Sequence, residues 1–69
     1  MNQTFTATVR KEDNLYVAEC SETGTASQGE TIETALENLK EATELYLEEF
    51  PQRSSFHPIV TTFEVPVHA

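Results

Sequence analysis

Residues 27–49 read SQGETIETALENLKEATELYLEE, and this stretch decides the fold. Ile32, Ala35, Leu36, Leu39, Thr43, Tyr46, Leu47 and Phe50 recur at helical spacing and make one stripe, while Glu33, Glu37, Glu41, Glu44 and Glu48 cluster on the opposite face. The pattern predicts a helix from about Thr31 to Glu49. Thr31 suits the N-cap, because its hydroxyl accepts a hydrogen bond from a first-turn amide; the position three residues on is Thr34, so the reciprocal Glu or Gln of a capping box is absent. The helix stops before Pro51, since the residue preceding a proline is pushed out of helical conformation. Leu45 departs from the stripe, beside Glu41 and Glu49, and either faces solvent or marks a contact with another chain. Glu48 and Glu49 sit where the helix dipole disfavours negative charge, so inward packing of Tyr46 and Phe50 is expected to hold that end. One amphipathic helix does not fold alone, so it must cover a sheet supplied by the rest of the chain.

Working outward, Thr4 to Arg10 alternates, with Phe5, Ala7 and Val9 on one side and Thr4, Thr6 and Thr8 on the other, the period of a half-buried strand. Lys11 to Asn14 has hairpin-loop chemistry, since Asp and Asn tolerate left-handed backbone. Leu15 to Cys20 returns as a second strand. Leu15 and Val17 share one face and Tyr16, Ala18 and Cys20 the other, and the pattern leaves open which face meets the helix. Ser21 to Gly24 is a turn closed by a glycine able to take positive φ, and Thr25 to Gln28 a short third strand ended by Gly29 and Glu30. After the polar connection Gln52 to Pro58, the segment Ile59 to Val67 alternates again and reads as a fourth strand, at an edge or near its end because Pro66 cannot donate to a ladder. The expectation is a single α+β domain over residues 1–69, ordered β-β-β-α-β. Its mixed four-stranded sheet runs 3-2-1-4, with the helix on one face through a right-handed crossover. The uncovered face, bearing Thr4, Thr6 and Thr8, is a surface for self-association.

Sixty-nine residues make a thin core, and the single Cys20 rules out an internal disulfide, so oligomerisation to a dimer or tetramer, or a binding partner, is expected to complete the fold. One cysteine and no leader-like n-region and h-region point to a reduced, cytoplasmic setting. No apolar run approaches the roughly 18 residues that span a bilayer, and the acidic helix face opposes binding to anionic lipid, so no membrane role is expected. The formal charge is −8. Arg10, Lys11, Lys40 and Arg53 are too scattered for a phosphate-binding patch, which argues against direct nucleic-acid binding and for a basic protein partner.

The run LYVAEC (residues 15–20), the turn ending in Gly24, and ASQGETIETALENLKEATELYLEE (residues 26–49) resemble the N-terminal domain of the HicB antitoxins, partners of the HicA messenger-RNA-cleaving toxins. The resemblance is carried by Leu15 to Glu49 and extends to the first and last strands by topology only. It implies a partial ribonuclease-H-like fold that is not itself a nuclease, and a role in binding a small basic toxin and blocking its catalytic histidine and RNA surface. Two departures limit the carry-over. Many members continue into a helix-turn-helix or ribbon-helix-helix DNA-binding domain, whereas this chain ends at Ala69, so DNA binding and autoregulation are not carried over. The proline common after the second strand is replaced by Ser21, Glu22 and Thr23.

No residue set supports an enzyme. A ribonuclease-H-type centre needs converging carboxylates, typically with one on the first strand; that strand has none, and only Glu33 and Glu64 offer a beginning. His57 and His68 lack the Cys and His company of a metal site, Cys20 has no adjacent cation to activate it, and Gly24 and Gly29 lack phosphate-loop spacing. No cofactor is expected. The candidate partner-binding residues are Glu33, Glu37, Glu41 and Glu44, read either as an ordinary solvated helix face or as a row that meets basic residues of the toxin. Lys40 lies within the row and is placed to pair with Glu37 and Glu44. The competing functional reading is an orphan protein- or ligand-binding module of the same fold with no toxin.

Overall fold

The computed structural model describes residues 3–51 and 59–68. Strands β1 (Ala7–Glu12), β2 (Leu15–Cys20) and β3 (Ala26–Gly29) are followed by helix α1 (Ile32–Glu49). The strands form a three-stranded antiparallel sheet in the order β1-β2-β3. Both connections are hairpin turns. Asp13 takes a left-handed φ of 55° between β1 and β2, and Gly24 a φ of 77° between β2 and β3, the conformations their residue types tolerate best. Ala7 lies opposite Cys20 and Glu12 opposite Leu15, so β1 begins and ends later than its alternation suggested. Thr4 to Thr6 precede the ladder, and Lys11 and Glu12 join it because Asp13 and Asn14 alone make the turn.

The pairing settles the faces. Tyr16, Ala18 and Cys20 share a face with Ala7, Val9 and Lys11 of β1 and with Ser27 and Gly29 of β3. This face meets α1. Ala18, Cys20, Ala35 and Leu39 form the buried core, with Phe5 and Tyr16 packed against it. Its small side chains let the helix lie close to the sheet. At Gly29 the approach is extreme: a Cβ there would sit 2.6 Å from the Ala35 nitrogen. The opposite face is not covered by α1 and is mixed, with half-buried Leu15 and Val17 beside Thr8, and with Arg10 paired to Glu12 and, at 4.0 Å, to Glu19.

Thr31 caps α1 with extended backbone, its hydroxyl accepting from the Thr34 amide at 3.0 Å and donating to the Thr34 hydroxyl at 2.9 Å. At the other end the Phe50 amide donates to the Tyr46 carbonyl at 2.8 Å. The rings of Tyr46 and Phe50 pack with centroids 5.1 Å apart and planes tilted by 36°, but Phe50 is 58% exposed. That end is therefore held by one aromatic lying on another at the surface, not by two packed inward. Leu45 faces solvent.

The four-stranded sheet in the order 3-2-1-4 is not what forms. Residues 59–68 contain no strand and are exposed throughout, with Ile59 at 90%, Phe63 at 85% and Val67 at 86%. Alternation makes a segment competent to pair, but pairing needs an edge brought alongside it. Here α1 lies over β2 and β3 and the described sheet ends at β1. The connection Gln52 to Pro58, with His57, lies outside the described residues.

Candidate interaction site

The stripe of α1 is wider than the strip of sheet it covers. Ala35, Leu39 and Thr43 are buried, whereas Leu36 toward one margin, and Ile32 at the first residue of the helix, are exposed. The difference follows from where the helix is tied. The Thr25 and Thr43 hydroxyls share a hydrogen bond at 2.9 Å, and Asn38 Nδ2 donates to the Gln28 carbonyl at 2.8 Å. With the close contact at Gly29, every such tie runs to β3 or to the residue leading into it.

On the β1 flank the helix stands clear and leaves a groove of about 620 Å³, its apolar wall made by Phe5, Ala7, Cys20, Leu36, Leu39 and Leu47. Lys40 and Glu44 stand at its rim. Glu33, Glu37, Glu41 and Glu44 are all exposed. Among the described residues the ion pairs are those of Arg10, so neither Glu37 nor Glu44 is neutralised by Lys40. The structure thus joins two features that the sequence kept apart: Glu44 belongs both to the acidic row and to the groove. The groove itself went unread in the sequence. Its signal was the position of Leu36 and Leu47 at one margin of the stripe, farther round the helix than Ala35 and Leu39.

The floor of the groove ends at a polar cluster. The carboxylate of Glu22 accepts from the Thr6 amide at 2.8 Å and from the buried Cys20 thiol at 3.5 Å. Burial pushes this carboxyl up, but the hydrogen bonds from Thr6, followed by those from its own backbone and from Cys20, outweigh it and hold the group below its ordinary value. The cluster fastens the segment before β1 to the turn after β2. Cys20 is thus an interior thiol with a polar partner. Glu33 and Glu64 are both exposed, and among the described residues no three His, Cys, Asp or Glu side chains gather as a metal-binding group.

Residues 2–55 match the model of a family of unknown function, DUF7387, and the chain belongs to that family. The match spans β1 through α1 and ends before residue 59. No curated protein and no solved structure matches the chain. Among the described residues no helix is long and apolar enough to cross a membrane.

Proposed function

We propose that this chain is a non-catalytic, antitoxin-like binding module that captures a small basic ribonuclease toxin of the HicA type in the cytoplasm and itself self-associates. The observation that carries the reading is the exposed row Glu33, Glu37, Glu41 and Glu44, which among the described residues makes no ion pair, on a chain of net charge −8. Such a row raises the rate of encounter with a basic partner and orients it more than it adds raw affinity. Glu44 at the rim of the apolar groove places charge beside a surface able to bury a side chain, the combination of anchor and polar border found at specific interfaces. The resemblance of residues 15–49 to the HicB antitoxins supplies the class of partner.

The groove also favours a second reading, an orphan module whose occupant is an apolar group of another protein or ligand. One experiment separates the two. The tagged chain is purified from its native cell at low salt, and any co-purifying basic protein is assayed for RNA cleavage alone and in complex. Cleavage that stops on binding establishes the antitoxin role. The triple variant Glu33→Gln, Glu37→Gln, Glu41→Gln is then expected to slow association at least tenfold at low salt and to flatten its salt dependence. An unchanged association rate and salt slope would remove the row from the interface, and a complex without inhibited cleavage would favour the orphan module.

A further inference from the structure

We propose that two copies of this chain associate by exchanging residues 59–67, each copy's segment filling the other's groove between β1 and α1. The inference builds on the self-association in the reading above and not on the toxin. Within the stretch 59–67, Ile59, Val60, Phe63, Val65 and Val67 are all exposed large apolar side chains, and Glu64 is the one charge. So dense an apolar run in water marks a surface awaiting a partner. The radius of gyration is 14.3 Å, against about 11 Å for a compact domain of this length, which fits a segment reaching away from the body and from its own groove.

The groove supplies what the segment lacks. Its wall is apolar, and among the described residues the outer edge of β1 pairs with no strand, so its backbone donors and acceptors are free to receive an extended chain. Charge allows a second copy to approach through this segment. The body holds eleven of the chain's twelve acidic residues, whereas the segment carries one carboxylate and so approaches with little penalty, and the groove rim it meets carries one charge of each sign, Lys40 and Glu44. Symmetry closes the arrangement. Each copy brings one segment and one groove, so a two-fold exchange occupies both and leaves nothing to propagate into a filament. Two reciprocal insertions, each carrying a phenylalanine of about 150–250 Å² and four aliphatic residues, reach the roughly 800 Å² per partner of a specific interface.

The test uses the full chain. Light scattering at micromolar concentration is expected to give twice the 7.8 kDa chain mass. The double variant Phe63→Asp, Val65→Asp is expected to weaken dimerisation at least tenfold with an unchanged far-ultraviolet circular dichroism spectrum, because both residues lie outside the folded body. Mixing the variants Leu36→Cys and Phe63→Cys under oxidation is expected to link one chain of each kind. A monomeric wild type, a dimer that survives the double variant, or a Leu36→Cys, Phe63→Cys chain that closes on itself without forming linked dimers would each overturn the exchange. None of these results bears on toxin capture, and a failure of the glutamate row to bind toxin leaves the exchange untouched.

Discussion

The two flanks of α1 meet the same sheet in opposite ways. On the β3 flank Asn38 reaches the Gln28 carbonyl, Thr43 is tied to Thr25, and Gly29 lets the backbone of Ala35 come within van der Waals contact of the strand. On the β1 flank Leu36 and Leu47 look across an open groove toward Phe5 and Ala7. Hydrophobicity does not account for the difference, since the open flank is the more apolar. The helix follows the smaller residues and the directional hydrogen bonds, because close approach strengthens every contact while an apolar side chain gains from any cover it finds. The lesson is that β3, the strand weakest in propensity, positions the helix, and the open flank is what remains for a partner.

The comparison is most sharply broken at Gly29. Gly29→Val places a Cβ 2.6 Å from the Ala35 nitrogen and 2.9 Å from the Thr34 carbonyl carbon; overpacking against backbone is expected to cost about 3 kcal/mol, read as a lowered denaturant midpoint. A cost below about 0.5 kcal/mol would mean that β3 does not set the helix. Thr43→Val comes next. It removes the hydrogen bond to Thr25 but leaves Thr25 bonded to Thr23 at 2.7 Å, so a loss of about 1 kcal/mol is expected in urea titration.

A smaller effect belongs to the β1 side and appears only in acid. The Glu22 carboxyl titrates below its ordinary value in the folded chain. Its contribution is therefore fully present above the unfolded pKa and is lost as pH falls through the folded one. Glu22→Gln should flatten the part of the stability–pH curve below the ordinary glutamate range, and an unaltered curve would show that the Thr6–Glu22 contact holds nothing. The smallest change is expected from Leu36→Ser. Measured in the Phe63→Asp, Val65→Asp background to remove any dimer, it should shift stability by no more than about 0.5 kcal/mol. A loss of several times that would show the open flank to be part of the monomer's core.

Much of this was legible residue by residue. The alternation of Leu15 to Cys20, the Thr31 cap, the left-handed turn positions at Asp13 and Gly24, and the helical stripe are local properties, set by periodicity and backbone sterics, and the structure has all of them. The acidic row was equally plain, because charge opposite an apolar stripe is written into a helix by its 3.6-residue repeat. The groove was not, because it depends on where the helix sits across the sheet. The fourth strand was misread for the same reason. Ile59 to Val67 has the period of a strand, but no local signal states whether a β1 edge will be brought beside it.

By itself, the sequence determined β1 to β3, the helix, the alternation within each strand and an acidic exterior, since these follow from side-chain period, turn chemistry and composition, but it left open which face of β2 meets the helix and wrongly added a fourth strand. Tertiary structure alone decided the lateral position of α1, the burial of Gly29 against Ala35, the groove over β1 and the exposure of residues 59–67. Those follow from distances between elements far apart in the chain, where close packing at one glycine and two side-chain hydrogen bonds outweigh a larger apolar surface that has nothing near enough to cover it.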